Sequence, residues 1–397
     1  MNMAGMFMAT VAASTVIQSA PIAALSYTLN ISGGAIDSAL TDFPVLIHIG
    51  AQSGTGDLDT RAIFTEVGAA SGKISVQLLD GTELDTEVEL WDTAAQEGYL
   101  WTKVPYVSAG TNTPLKLLYG SSRAVSSKVY DTSTAGVSNV WTNSYVAVNH
   151  LNGSGDTLDS KSRITYSNVN TPTYNLSSVI AGGKTFTGGA AFDGVDDMFK
   201  SSLSITTELY EASWSAWMKS SVTFSEAGYN LINMQSQAGT CYLISMILAR
   251  YSSIDSNRYI IYTQQWNYPR TGYGISQNTF GTNPGHNMCD GNWHHVVMVR
   301  SSNADNYVKM YIDGKIATQC SALVGTTNSP NVSGTLATGS MGPLSFVNSS
   351  LGVAGAHYSG GSFPGSLDEV RLQQAARSAE WIKAEYNTGI DNLITFS

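Results

Sequence analysis

A chain of 397 residues is long enough for two or three domains, each with its own buried core. Only 13% of its residues are charged, and 38 Gly and 20 Tyr stand among many Ser, Thr and Asn, a composition that suits turn-rich β-proteins with neutral, hydrogen-bonding surfaces. A formal net charge of −10, with no run of Lys or Arg, excludes the non-specific nucleic-acid binding that basic patches provide.

The N-terminal stretch MNMAGMFMATVAASTVIQSAPIAA carries no charged side chain, and the first charged residue in the chain is Asp37. QSAPIAA offers a small-residue cleavage site, but the basic n-region of a signal peptide is missing. Its Ser, Thr and Gln residues also make a poor membrane span. Residues 1–25 are therefore expected to form an ordered, uncharged arm for attachment or oligomerisation, with a signal peptide as the alternative.

From about residue 26 the pattern is period-2 alternation broken by Gly, Ser, Asn and Asp clusters, which predicts short antiparallel strands. FPVLIHI (43–49), KISVQLL (73–79), EVELW (87–91), YLWTKVP (99–105) and LKLLYG (115–120) form a first series, assigned to a sandwich over 26–122. Residues 123–143 are small and polar and are expected to be a connector. A second series fills 144–397: AAFDG (190–194), ASWSAWMK (212–219), CYLISMIL (241–248), RYIIYTQ (258–264), HHVVMVR (294–300), YVKMYIDGK (307–315), LGVAGAH (351–357) and GSLDEVRL (365–372). Only SAEWIKAEYN (378–387) has helical spacing, with Ser378 placed to cap its start. The expected class is all-β: two β-sandwiches, a short arm and one short C-terminal helix. Cys241, Cys289 and Cys320 cannot all pair within the chain, and three reduced core thiols are expected, with one bridge and one thiol as the alternative.

The second series resembles the concanavalin A-like, laminin-G-like jelly roll. The motifs that carry the resemblance occur in the family's order: AAFDGVDDMF (190–199), SWSAWMK (213–219), GNWHHVVMVRSSNADNYVKMYIDGK (291–315) with an Asp-Gly turn of type I′, and FPGSLDEVRLQQAARSAEWIKAEY (363–386). The first series resembles the uncharacterised β-domain found upstream of such jelly rolls in prokaryotic and phage surface proteins. DFPVLIHI, VELWD, YLWTKVPYVSAGTNTPLKLLYGSS and the bridging SYVAVNHLNGSGDTLDS (144–160) carry that likeness. Laminin-G-like domains often bind Ca²⁺, so the resemblance implies Asp193, Asp196, Asp197 and Asp368 as candidate calcium ligands. Asn152, Asp156 and Asp159 form a second acidic loop.

Asp368 and Glu369 are adjacent acids in a predicted strand. Neighbouring strand residues point to opposite faces, so they are not expected to act together on one bond as glycoside hydrolysis requires. With no E-x-D-x-E-like strand, no GxSxG and no HExxH, no enzymatic activity is expected. Arg371 or a backbone amide is the expected partner of Asp368. His294 and His295 are expected to be hydrogen-bonded structural histidines. The strongest binding signal is the segment 262–287, where Trp266, Tyr268 and Tyr273 interleave with Asn267 and Arg270. Aromatic faces beside amide donors and acceptors suit a neutral glycan, and packing over a sandwich edge is the competing role.

These features lead us to expect a non-enzymatic surface protein with a lectin-like domain, a phage head or tail-fibre decoration subunit on the virion. The alternatives are a secreted or cell-surface prokaryotic adhesin and a purely structural filament or capsid subunit. The expected partners are sister subunits in a homo-oligomer, reached through the arm, and a glycan, with no nucleic acid and no membrane span.

Overall fold

The computed structural model describes residues 25–152, 157–161, 165–180, 184–201, 211–222, 227–236, 243–250, 260–266, 276–280, 288–300, 308–316, 349–353 and 361–397. Residues 1–24 of the expected arm, Cys241, Cys320, Asp156 and the segment from Asn267 to Tyr273 lie outside them, while Leu25 already begins a strand.

The first sandwich packs two four-stranded sheets. One sheet runs in the order Ile394–Phe396, Leu25–Ile31, Thr113–Tyr119, Ser75–Gln77. The other runs Leu40–Ile49, Glu97–Val107, Thr86–Asp92, Val129–Asp131. Alternation explains the first sheet: Leu29, Ile31, Leu115 and Leu117 are fully buried, while Lys116 between them is exposed. FPVLIHI does not alternate because both of its faces are covered, so every residue from Phe43 to Ile49 is buried. A helix of barely two turns, Ala62–Val67, also buries Ile63, Phe64 and Val67, a second helix where only one was expected. Its six residues are too few for a periodic pattern to stand out.

The jelly roll consists of a nine-stranded and an eight-stranded sheet. The nine-stranded sheet begins at one edge with Ser276–Phe280, Ile260–Trp266, Leu243–Arg250 and Ala227–Ser236. In the eight-stranded sheet, Pro364–Gln373 is flanked by Ala212–Lys219 on one side and by Lys184–Asp193 and Tyr145–Asn149 on the other. Trp214, Ala216, Met218, Val296, Met298, Leu367, Val370 and Leu372 from this sheet meet Phe192, Phe199, Ile232 and Met246 in one apolar core. The hairpin after Val308–Ile312 turns at Asp313 (φ 50°) and Gly314 (φ 73°), both left-handed as the expected type I′ turn requires.

The opposite face of the eight-stranded sheet is also covered. The helix Ala379–Gly389, capped by the Ser378 hydroxyl accepting from Trp381 N at 3.3 Å, lies between it and the first sandwich. Trp381 and Ala384 join the first sandwich's core, and Phe43 meets the Trp381 ring edge-on at 4.8 Å. Ile382 packs on Val297, Val299 and Tyr311 of the jelly roll. Gly389 is required where the helix touches the sheet: a Cβ there would stand 2.7 Å from the Trp217 ring.

Two expected boundaries move. Residues 394–396, assigned to the jelly roll, form a strand of the first sandwich, with Leu29 opposite Phe396 and Ile31 opposite Ile394. The connector contributes Val129–Asp131 as a parallel strand beside Thr86–Val88. Backbone pairing over such sequence distances leaves no local signal.

Candidate functional site

The strand Pro364–Gln373 carries the candidate acids, and its geometry overturns the expectation that Asp368 and Glu369 point apart. Trp217 pairs with Asp368 and Ser215 with Arg371, so two residues, Glu369 and Val370, oppose Ala216 alone. Glu369 takes φ 51° in this bulge. The extra residue lets Leu367, Val370 and Leu372 keep the core face while Asp368, Glu369 and Arg371 share the other. The three-residue step from Leu367 to Val370 is the sequence signal of this bulge.

Facing them is the first sandwich's strand Thr86–Asp92, whose register also slips between Val88 and Leu90. It supplies Glu87 and Glu89. His150, just beyond Tyr145–Asn149, sits among the acids: its Nδ1 is 2.6 Å from Glu369 Oε1 and 3.7 Å from Glu89 Oε2, and its Nε2 is 3.4 Å from Glu87 Oε2. Arg371 donates to Glu369 and, at 3.0 Å, to Glu385 of the C-terminal helix. Its guanidinium lies 4.3 Å from the Trp101 ring and 5.0 Å from the Trp141 ring. Arg371 therefore serves Glu369 and Glu385. Of the two partners expected for Asp368, the backbone amide is the one found: its Oδ1 accepts from the Glu369 amide at 2.8 Å.

Burial and neighbouring charge sort these groups by protonation. Burial alone would neutralise His150, but Glu369, Glu87 and Glu89 raise its pKa well above the usual value. Burial also works to raise Glu369, yet His150 and Arg371 hold it near 2. Glu89 is pushed up to about 8 by burial and by Glu369, and Asp368 is raised for the same two reasons. The cluster therefore sets ionised Glu369 against His150 and Arg371, while burial and the Glu369 charge favour the protonated forms of Glu89 and Asp368. Against it lies a cavity of about 20 Å³ lined by Leu46, Glu89, Trp217, His295, Asp368 and Glu385, among others. That is room for about one water.

Beside it, His48 of the first sandwich bonds Glu97 at 2.7 Å and Asp391 at 3.1 Å. Burial lowers its pKa, but the two carboxylates raise it to about 9. His294 is held between Asp313 at 2.9 Å and Asp290 at 3.2 Å, as a hydrogen-bonded structural histidine. His295 departs from that expectation: its ring lies tilted against Trp217 at 5.0 Å, and its Nδ1 has no hydrogen-bond partner among the described residues.

The other candidate calcium ligands lie apart. Asp193 pairs with Pro364, four residues before Asp368, roughly 13 Å along the strand. Asp193, Asp196 and Asp197 each offer an oxygen within 4.8 Å of the others. Their carboxylates chiefly build the turn: Asp193 Oδ1 accepts from the amides of Val195, Asp196 and Asp197, and Asp197 accepts from the amides of Thr171 and Asp193. These carboxylates would supply only part of the six to eight oxygens that Ca²⁺ takes, the rest coming from carbonyls and waters. In the second acidic loop, Asp159 is buried and accepts from the amides of Val148 and Lys161, and Asn152 reaches Glu89 O at 3.4 Å. Cys289 is a buried thiol, its pKa pushed up to about 11 by that burial.

Of the glycan candidates, Trp266 closes the strand Ile260–Trp266, opposite Leu243. That strand pairs with the edge strand Ser276–Phe280 in the register Thr263–Asn278, Gln264–Gln277 and Gln265–Ser276, a row of uncharged polar residues. Asn267, Tyr268, Arg270 and Tyr273 occupy the connection between these strands, outside the described residues. Sequence reasoning missed Glu87, Glu89, His150 and Glu385, because they converge from distant parts of the chain. Among the described residues, no helix is long and apolar enough to cross a membrane.

Known proteins place the fold. Residues 193–383 match the concanavalin A-like lectin/glucanases superfamily, and residues 72–137 match a domain of unknown function, DUF2341. No curated protein matches the chain. Among solved structures it is similar to the binding domain of botulinum neurotoxin serotype D, at 14% identity and a TM-score of 0.41, over 62% of this chain and 51% of that one. The binding domain of Paraclostridial mosquitocidal protein 1 gives 10% identity and a TM-score of 0.44, over 62% of this chain and 52% of that one. Domain 4 of an extracellular arabinanase from Geobacillus stearothermophilus, solved with arabinotriose, gives 13% identity and 0.38, over 60% of this chain and 96% of that one. The chain thus spans about half the length of the toxin binding domains it matches. It carries a concanavalin A-like jelly roll preceded by a DUF2341 domain.

Proposed function

We propose that the chain is a non-enzymatic adhesion protein whose jelly roll binds neutral glycans at the rim of its nine-stranded sheet. One observation carries this: the outer face of the strand Pro364–Gln373, with all its acids, is sealed against the first sandwich and the C-terminal helix. No sugar ring fits a space of about 20 Å³, so Asp368 and Glu369 are supports for the domain interface. Ligand contact then falls to the other sheet. Its edge hairpin pairs uncharged polar residues and ends at Trp266. The aromatic-amide connection at 267–275 follows directly. Glycan binding is proposed without calcium, since the Asp193 and Asp197 carboxylates are engaged by their own turn.

On this proposal the setting is a virion surface, a head or tail-fibre decoration subunit, with residues 1–25 attaching the chain to sister subunits. A secreted or cell-surface adhesin would present the same two domains. A glycan array should show binding to neutral oligosaccharides that Trp266→Ala and Tyr268→Ala each weaken at least tenfold, with no polysaccharide hydrolysis. An array without binders, or hydrolysis abolished by Asp368→Asn, would overturn the proposal.

A further inference from the structure

The interface cluster has the geometry of a metal site. Glu89, His150 and Glu369 can each offer a donor atom within 4.8 Å of the others. Donors on a tetrahedral zinc ion stand roughly 3.4 Å apart, given bonds of about 2.0–2.2 Å. The observed separations from His150 Nδ1, 2.6 Å to Glu369 and 3.7 Å to Glu89, bracket that spacing. Two of the donors are also held by outer partners, as ligands of a bound metal usually are. Trp101 Nε1 donates to Glu89 Oε2 at 2.7 Å and Arg371 holds Glu369 Oε2, while Glu87 Oε2 lies 3.4 Å from His150 Nε2 without a hydrogen bond.

A second observation is independent of the carboxylates. His295, 2% exposed, lines the same cavity as Glu89 and Glu369, and its Nδ1 has no hydrogen-bond partner among the described residues. A buried polar atom beside a water-sized space calls for a hydrogen-bond partner in that space. One imidazole with two carboxylates suits zinc better than calcium, which prefers an all-oxygen shell.

We propose that one divalent transition-metal ion, with zinc as the fitting species, binds between Glu89 of the first sandwich and His150 and Glu369 on the jelly-roll side. A water in the cavity beside His295 would complete its coordination. Because the ligands come from both sandwiches, the ion would fasten one to the other, and binding would stabilise the docked form by mass action.

The test uses the full chain, stripped with a chelator and titrated with zinc chloride by calorimetry, with elemental analysis of the loaded protein. The expected result is about one zinc per chain and a raised Tm. Glu89→Gln, which keeps an acceptor for Trp101, should weaken binding at least tenfold, while Asp196→Asn on the exposed turn leaves it unchanged. Zinc-edge absorption of the loaded wild type should show nitrogen and oxygen ligands with a single imidazole. That measurement decides the matter even if Glu89→Gln fails to fold. No zinc uptake by the wild type, uptake that Glu89→Gln leaves intact, or a sulfur or multi-imidazole shell would overturn the proposal. Glycan binding at the edge hairpin stands or falls separately.

Discussion

The strand Pro364–Gln373 is buried on both faces, yet the two faces are chemically opposite. Leu367, Val370 and Leu372 enter the apolar core of the jelly roll, while Asp368, Glu369, Arg371 and Gln373 face the domain interface. An apolar face accepts any well-packed neighbour of suitable volume. A charged face accepts only a partner that returns every hydrogen bond, because an unmatched buried charge is costly. The core therefore supplies cohesion, and the cluster fixes how the first sandwich docks.

The comparison breaks most visibly at Arg371. Arg371→Ala leaves Glu385 without its cation and Glu369 with His150 alone, and should destabilise the chain by about 3–5 kcal/mol. Urea denaturation reads this loss. Replacing Arg371, Glu369 and Glu385 together with apolar residues of similar volume should recover most of it, and a failure to do so would mean the cluster contributes net stability.

The next effect is a pH dependence at His48. Its folded pKa is raised from 6.5 to about 9, so its contribution is complete below pH 6.5 and lost as pH rises through 9. Stability should fall by on the order of 3 kcal/mol across that window. His48→Gln should flatten the profile of Tm against pH there. Gly389→Ala drives a methyl group into Trp217, where the helix touches the sheet, and should cost roughly 2 kcal/mol by denaturant titration. Ser378→Ala removes the helix cap and should lower stability by about 1 kcal/mol, the smallest of these changes.

Much of the fold was legible because its signals are local. ASWSAWMK, the Asp313-Gly314 turn and the Ser378 cap each specify their own backbone conformation. The interface was not. Asp368 and Glu369 look like neighbours on opposite faces until the bulge is known, and the Leu367-to-Val370 step that betrays it is easily passed over. Glu87, His150 and Glu369 meet only through tertiary structure, since up to 282 positions separate them in the sequence. The glycan candidates were legible as chemistry, an aromatic-amide segment, and the structure adds that the strand before it ends at Trp266 beside a sheet edge.

The pairing of Leu25–Ile31 with Ile394–Phe396, reinforced by reciprocal Thr28–Ser397 backbone bonds at 2.8 and 2.9 Å, makes the jelly roll a nested domain. During synthesis the usual order, N-terminal domain first, cannot hold for this chain. The first sandwich waits, one strand short, until the entire inserted domain has left the ribosome. Once folded, the jelly roll brings the two ends of that host together. Loop-closure entropy over more than 360 residues is then reduced to the short gap between two anchored ends.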